Sequence, residues 1–353
     1  MSWIYRYETK GIQQWILNSN LLRDLAGGSA LVENLTKSAE DEANAAGASD
    51  IIQSTSGAMT AVFPSKQSLE KFASEWPMRV AALAPGLQLI QAWVEAEAKL
   101  PALFEKLNTR KNQLSVLTIE SNPWVFRAAR SGLPAVPIPK GSLSVARNTA
   151  LDAEGFAKEK ARGEFLSKSS PVTGGRIWKD FESEVDDWGE GPIAVLHADG
   201  SGIGKALMKI GDDAGKLKRF STAMKEACDA AIREAVNSLG SDKPLCARPI
   251  VSAGDDLTYV LRASQARRFG EAWIRAFEAE TERRKAQLGA KLYGGVGFVV
   301  VNRGYPFSAA YELAEALCKS AKDEIKRREG ARAQASVLAF ARVTNSLVSD
   351  VTD

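Results

Sequence analysis

From residue 190 onward the apolar positions alternate between two periods. Pro192–Ala198 is a short apolar run suited to a buried strand. Between Ala214 and Leu239 the apolar residues Leu217, Phe220, Met224, Ala227, Ala231, Ala235 and Leu239 recur every three or four positions, which predicts a helix with one buried stripe. Two β-rich runs, Ala247–Val251 and Leu257–Leu261, flank a small-residue turn and predict a hairpin. Phe269, Trp273 and Phe277 mark a second amphipathic helix, and Leu292–Val301 reads as a strand rich in Gly and Val. Pro306 opens a helix running to about Arg328 with Leu313, Leu317 and Ala321 inward, and Ser336–Val343 closes the pattern as a strand. Two helices on one face of an antiparallel sheet make a ferredoxin-like or palm arrangement, an α+β architecture.

The amino-terminal part repeats that order. Trp3–Thr9 reads as a strand, Gln13–Ala46 as mostly helix, Ile51–Thr55 and Met59–Phe63 as a hairpin, Leu69–Ala82 as a helix and Leu87–Val94 as a strand. The expected organisation is a degenerate palm over residues 1–120, a partly helical connecting region over 121–190 holding Pro123, Pro134, Pro137, Pro139 and Pro171, and a second palm over 191–353.

Chemistry concentrates in the second repeat. The hairpin turn reads Val251-Ser252-Ala253-Gly254-Asp255-Asp256, and the strand at Pro192–Ala198 ends in Asp199-Gly200-Ser201-Gly202-Ile203-Gly204-Lys205. Adjacent carboxylates repel unless a cation sits between them, and glycine permits a tight turn and close ligand approach. Gly-Asp is also ordinary turn chemistry, so a bare chain reversal is the competing reading. If the two strands are neighbours, Asp199 and Asp255 converge, and hard cations such as magnesium take such oxygen ligands. The first repeat has Gly57-Ala58-Met59 at the matching turn, so a metal site belongs to the second repeat alone.

Composition narrows the options. The chain has 353 residues, 45% hydrophobic and 25% charged, with a formal net charge of +3, an ordinary balance for a protein that buries a core. His197 is the only histidine, which excludes mechanisms needing two imidazoles; beside Asp199 it is tempting as a base, but packing against the sheet is the preferred reading. Cys228, Cys246 and Cys318 form no Cys-x-x-Cys pair, so structural burial is expected and zinc is not. No apolar run approaches a membrane span and no secretory signal opens the chain, so a cytoplasmic protein without membrane contact is expected. Basic clusters such as Arg283-Arg284-Lys285 fall on predicted helices, where they permit RNA binding without indicating it. Asp199 and Ala206 stand where a Walker loop needs Gly and Ser or Thr, and the Gly200, Gly202, Gly204 spacing misses the dinucleotide fingerprint.

Together, Asp199-Gly200 followed by Gly202, Gly204 and Lys205 after a strand, and Ala253-Gly254-Asp255-Asp256 in a hairpin, resemble the catalytic palm of the large polymerase/cyclase subunit of type III CRISPR effector complexes. Gly11-Ile12-Gln13-Gln14-Trp15-Ile16 and Leu22-Arg23-Asp24-Leu25-Ala26-Gly27-Gly28-Ser29 resemble that subunit's first, non-catalytic palm, and Tyr305-Pro306-Phe307 leading to Ala321-Lys322 resembles the segment after its fourth strand. The resemblance implies two palms facing each other across bound nucleotides, with nucleoside triphosphates as partners. ATP as substrate and Mg2+ or Mn2+ as cofactor would give 3′–5′ linked cyclic oligoadenylates in antiviral defence. It implies Asp199 and Asp255 as metal ligands, Asp256 as a further ligand or helper in deprotonating the attacking hydroxyl, and Gly200 as a carbonyl ligand. Ser201 and Gly254 would border the nucleotide, Lys322 would contact the triphosphate, and Gly28 and Ser29 would lie near a second nucleotide, although helix packing explains these last two as well.

The chain departs from the family pattern at Ser201, where a second aspartate is frequent, and at Ala253, where a glycine is frequent. A histidine–aspartate nuclease domain and a cysteine-rich zinc insert have no residues in this sequence. The chain also ends soon after the last palm strand, which favours a stripped-down, free-standing signal synthase, with a second copy or a defence-system partner left open. The competing expectations are a catalytically silent palm pair that senses nucleotide or RNA or scaffolds partners, and a cyclase that uses GTP or makes cyclic dinucleotides.

Overall fold

The computed structural model describes residues 1–19, 22–55, 57–113, 124–129, 131–137, 150–167, 191–211, 213–240, 247–253, 255–329 and 334–344. They group into two compact units, the first reaching Phe165 and the second taking up the chain from Leu166.

In the first unit, strands β1 (Trp3–Lys10), β2 (Asp50–Thr55), β3 (Ala58–Phe63) and β4 (Gln88–Glu95) form an antiparallel sheet of order β2-β3-β1-β4. Helices α1 (Ile12–Leu17), α2 (Leu22–Ala45) and α3 (Lys66–Leu83) fill the two crossovers, so the single helix expected over Gln13–Ala46 is two. Tyr5, Tyr7, Phe63, Phe72 and Trp76 form the buried aromatic layer under α3.

A helix not foreseen in the sequence, α4 (Lys99–Asn112), packs against β4 and β1. It lies on the face carrying Arg6, whose guanidinium sits 5.0 Å from the Phe104 ring centre. Its buried stripe is only Leu100, Leu103 and Leu107, a weak periodic signal beside Pro101. Helix α5 (Ala153–Ser167) inserts the buried Lys158, whose ammonium donates to Glu154 Oε1 at 2.7 Å and to the Trp15 carbonyl near the end of α1. A Cβ on Gly27 of α2 would stand 2.0 Å from the Lys158 carbonyl oxygen, so this glycine lets two helix backbones touch.

The second unit holds β5 (Ile193–Ser201), β6 (Ala247–Ala253), β7 (Asp256–Arg262), β8 (Tyr293–Val301) and β9 (Val337–Arg342) in the order β6-β7-β5-β8-β9. All pairs are antiparallel except β8 with β9. The first four strands, with helices α6 (Ile203–Ile210), α7 (Ala214–Asn237) and α8 (Ala263–Arg283), complete the expected βαββαβ order, and a single turn, α9 (Lys285–Leu288), follows α8. Helices α7 and α8 share a core of Phe220, Met224, Phe269, Trp273 and Phe277 with Leu196, Tyr259, Val296 and Phe298 of the sheet.

The third long helix, α10 (Phe307–Arg327), covers the opposite face, against β8, β5 and β9. Its buried stripe is Ala310, Tyr311, Ala314, Leu317, Cys318, Ala321 and Ile325. Leu313, expected inward, is half-buried. Small residues face inward because the helix backbone lies directly on the strand: a Cβ on Gly297 would meet Ala314 O at 2.2 Å and Cys318 N at 2.3 Å. Such contact requires glycine on the strand.

Candidate functional site

Strand β5 is longer than the apolar run suggests. Asp199, Gly200 and Ser201 continue it by pairing with Gly295, Gly294 and Tyr293 of β8. On its other side β5 pairs with β7, ending at Ala198 opposite Leu257, while Ala253 pairs with Asp256 across the hairpin and leaves Asp255 in the turn. The register therefore sets Asp199 beside the hairpin tip. A Cβ on Gly200 would lie 3.4 Å from the Asp255 Cβ, ordinary contact distance that sets the two positions side by side, and would instead crowd Ile203 Cδ1 at 2.5 Å. Gly254 lies outside the described residues.

The two carboxyls share one electrostatic environment. Burial, followed by the Asp199 carboxylate, pushes Asp255 up to about 7. The Lys322 ammonium bonds Asp199 Oδ2, and although burial lowers the lysine's pKa, the Asp199 contact raises it above its ordinary value. Asp256 points elsewhere: its Oδ1 is 3.5 Å from His197 Nδ1, on the α10 face, and it is absent from the residues lining the cleft described below. His197 Nδ1 is also 3.1 Å from Thr258 Oγ1, and its ring meets Tyr311 edge-on. Burial drives His197 down to about 4, so it is neutral at pH 7 and packs against the sheet. Cys228 and Cys318 are free and buried.

Asp199, Gly200, Ser201, Asp255 and Lys322 line one cleft of about 930 Å³. Its lining holds seven cations, Lys205, Lys209, Lys216, Arg219, Lys291, Lys322 and Lys326, against three carboxylates, Asp199, Asp255 and Glu329. That excess suits a polyanion. Most of these cations escaped the sequence reading because each alone is an ordinary surface residue, on a helix for all but Lys291; only the fold collects them. Gly28 and Ser29 lie on α2 of the first unit, where Gly28 is buried and a Cβ there would touch Lys158 Cε at 3.3 Å, which marks it as a packing position.

Among the described residues, no group of three or more His, Cys, Asp or Glu side chains is arranged to hold a metal ion. The corner offers two crowded carboxylates. Magnesium is commonly held by one or two carboxylates plus substrate phosphates rather than by an all-protein cage, so this donor set fits a metal–nucleotide complex.

The charge on Asp255 has a measurable consequence. Its folded pKa lies above the unfolded value, so its contribution to stability is full below about pH 4 and is lost as pH rises through about 7. Without divalent metal, Asp255→Asn is expected to melt above the wild type at pH 8, by on the order of 2–4 kcal/mol, with a smaller gap at pH 5. Thermal melts in EDTA across that range check this; a gap independent of pH would refute the shared-charge account.

Likeness to known proteins is most specific in the second unit. Residues 192–331 match the family model of Cas10/Cmr2, second palm domain. No curated protein sequence matches. Among solved structures, a chain of the Csm1–Csm4 cassette in complex with cA4 aligns with TM-score 0.59 and 18% identity over 92% of this chain and 53% of that one. A chain of the Csm1–Csm4 subcomplex in the type III-A CRISPR-Csm interference complex aligns with TM-score 0.59 and 16% identity over the same shares. One from the cassette in complex with AMPPNP aligns with TM-score 0.56 and 16% identity. The chain thus spans about half the length of the solved chains it matches, and it shares their fold. Among the described residues no helix is long and apolar enough to cross a membrane.

Proposed function

We infer that the second unit, matched as a Cas10/Cmr2 second palm domain, is the catalytic part of a metal-dependent nucleotidyltransferase or cyclase. It condenses ATP into a cyclic or linear oligonucleotide signal, in the cytoplasm and in antiviral defence. The observation that carries this is the meeting of Asp199 and Asp255 at the corner of a cation-rich cleft. Solved chains of the same fold occur in complexes with cA4 and with AMPPNP, which supports a nucleotide ligand; they occur with Csm4, which supports a protein partner.

In this reaction the 3′-hydroxyl oxygen of one nucleotide bonds to the α-phosphorus of the next, the bond to pyrophosphate breaks, and the hydroxyl proton is lost. Asp199 and Asp255, with the Gly200 carbonyl, would hold Mg2+ or Mn2+. When bound, the metal lowers the pKa of the attacking hydroxyl and neutralises charge on the leaving pyrophosphate. The hydroxyl proton leaves to water, because a carboxylate that ligates the metal is not free to take it; the raised pKa of Asp255 belongs to the metal-free corner. Asp256, expected from the resemblance as a ligand or helper, stands outside the cleft with its Oδ1 3.5 Å from His197 Nδ1 and is better read as a positioning residue of the hairpin. Lys322 and the other cleft cations bind the triphosphate and stabilise the departing charge. Ser201, which lines the cleft, borders the nucleotide. The first unit, with Gly57-Ala58-Met59 at its hairpin, carries no chemistry in this reading.

A second reading has its own observation. Ser201, in the cleft where the resembling family often has an aspartate, withholds a carboxylate and fits a palm that binds nucleotide without turnover. Mass spectrometry of products after incubation with all four nucleoside triphosphates and magnesium or manganese separates the two. A cyclic or linear oligonucleotide supports the synthase and names its base. Nucleotide bound without any product supports the sensor.

A further inference from the structure

Lys322 makes two demands on one atom. Its ammonium bonds Asp199 Oδ2, a carboxylate that the proposed reaction needs for metal. Three features of the fold put it there. Asp199 is paired with Gly295 of β8, and a Cβ on Gly295 would stand 2.6 Å from Lys322 Cγ, so the lysine stem passes over bare backbone. The adjoining contact at Gly297 seats α10 on the strand, which fixes where the stem begins. Both Lys322 and Asp199 also line the cleft, with side chains 24% and 29% exposed, so the ammonium has room to turn toward a ligand there.

We propose that Lys322 is a placeholder cation: its ammonium competes with a divalent ion for Asp199, and withdrawal onto a nucleotide triphosphate opens that carboxylate, so that metal and nucleotide bind together. This rests on the reading of the corner as a metal–nucleotide site. A corner with two carboxylates and one resident ammonium holds a free divalent ion poorly, because the incoming charge must displace or lie beside a like charge. A triphosphate reverses that balance by offering the ammonium another anion and the metal further oxygens. The consequence is order: the metal arrives with nucleotide, and free metal is kept out.

The test is titration of Mn2+ alone, read as the loss of the free-ion electron paramagnetic resonance signal, on the wild type, Lys322→Met and Lys322→Gln. Removing the ammonium is expected to tighten Mn2+ binding at least about tenfold, the scale on which an adjacent unit charge shifts an ionic equilibrium. Lys225→Met, on α7 outside the cleft and paired with Asp229 at the surface, controls for general charge and is expected to change it less than about threefold. In a second arm, a fluorescent ATP analogue without metal should bind both Lys322 variants more weakly than the wild type. Equal Mn2+ affinity in the wild type and both Lys322 variants, with Asp199→Ala weaker than all three, overturns the placeholder and leaves the metal site standing. Mn2+ binding unaffected by Asp199→Ala overturns the metal site and the placeholder together.

Discussion

Alanine at both Asp255 and Asp256 is expected to reduce product formation by about 10³-fold or more while the fold survives. Asp255 supplies one of two carboxylates at the corner, and with it gone Asp199 alone is left to hold the metal once Lys322 turns to the triphosphate. The fold should tolerate the change because Asp255 is a half-buried acid whose ionised form the metal-free native state disfavours. The single variants should separate the two positions. Asp255→Ala alone should carry nearly the whole loss, and Asp256→Ala should cost about tenfold, as expected for a residue that positions others from outside the cleft. Product yield by mass spectrometry, beside circular dichroism and thermal melts, reads both. Retained turnover in the double variant would sink the catalytic assignment, and a larger loss at Asp256 than at Asp255 would reverse the roles of the two aspartates.

Gly297→Ala should be the most damaging single methyl group in the second unit. The added carbon would stand 2.2 Å from Ala314 O and 2.3 Å from Cys318 N, both backbone atoms of α10, so no side chain can turn aside to make room. The helix must lift from the sheet. Overpacking of this kind is expected to cost about 3 kcal/mol or more and to lower the melting temperature by roughly 6–12 °C. The site should change as well: lifting α10 draws Lys322 away from Asp199, so free Mn2+ should bind more tightly. Thermal unfolding checks the first effect and the Mn2+ titration the second. A melting temperature within a degree or two of the wild type would show that α10 is not seated as described.

The palm order of the second unit was legible because its periods are clean. The stripe through Leu217, Phe220 and Met224 and the aromatic spacing Phe269, Trp273, Phe277 admit few alternatives, and the buried core confirms both helices. The first unit was legible in outline, but α4 was missed because three leucines beside a proline make a weak stripe, although the sheet beneath supplies a surface that completes it. Leu313 was misread for a related reason: hydrophobicity nominated the leucine, whereas a helix lying on glycine backbone turns alanines inward.

The site divides along the same line. By itself the sequence determined the α+β palm order, the two acidic turns, the absence of acids from the first repeat's hairpin turn and the exclusion of mechanisms needing two histidines, because these depend on residue identity and local spacing. The tertiary structure alone decided that Asp199 and Asp255 share a corner, that Asp256 turns away to His197, that seven scattered cations line one cleft and that Lys322 reaches Asp199 over Gly295. Each of these is a pairing across long separations in the chain. Strand register and helix seating set such pairings through backbone contact, which leaves no periodic trace in the sequence.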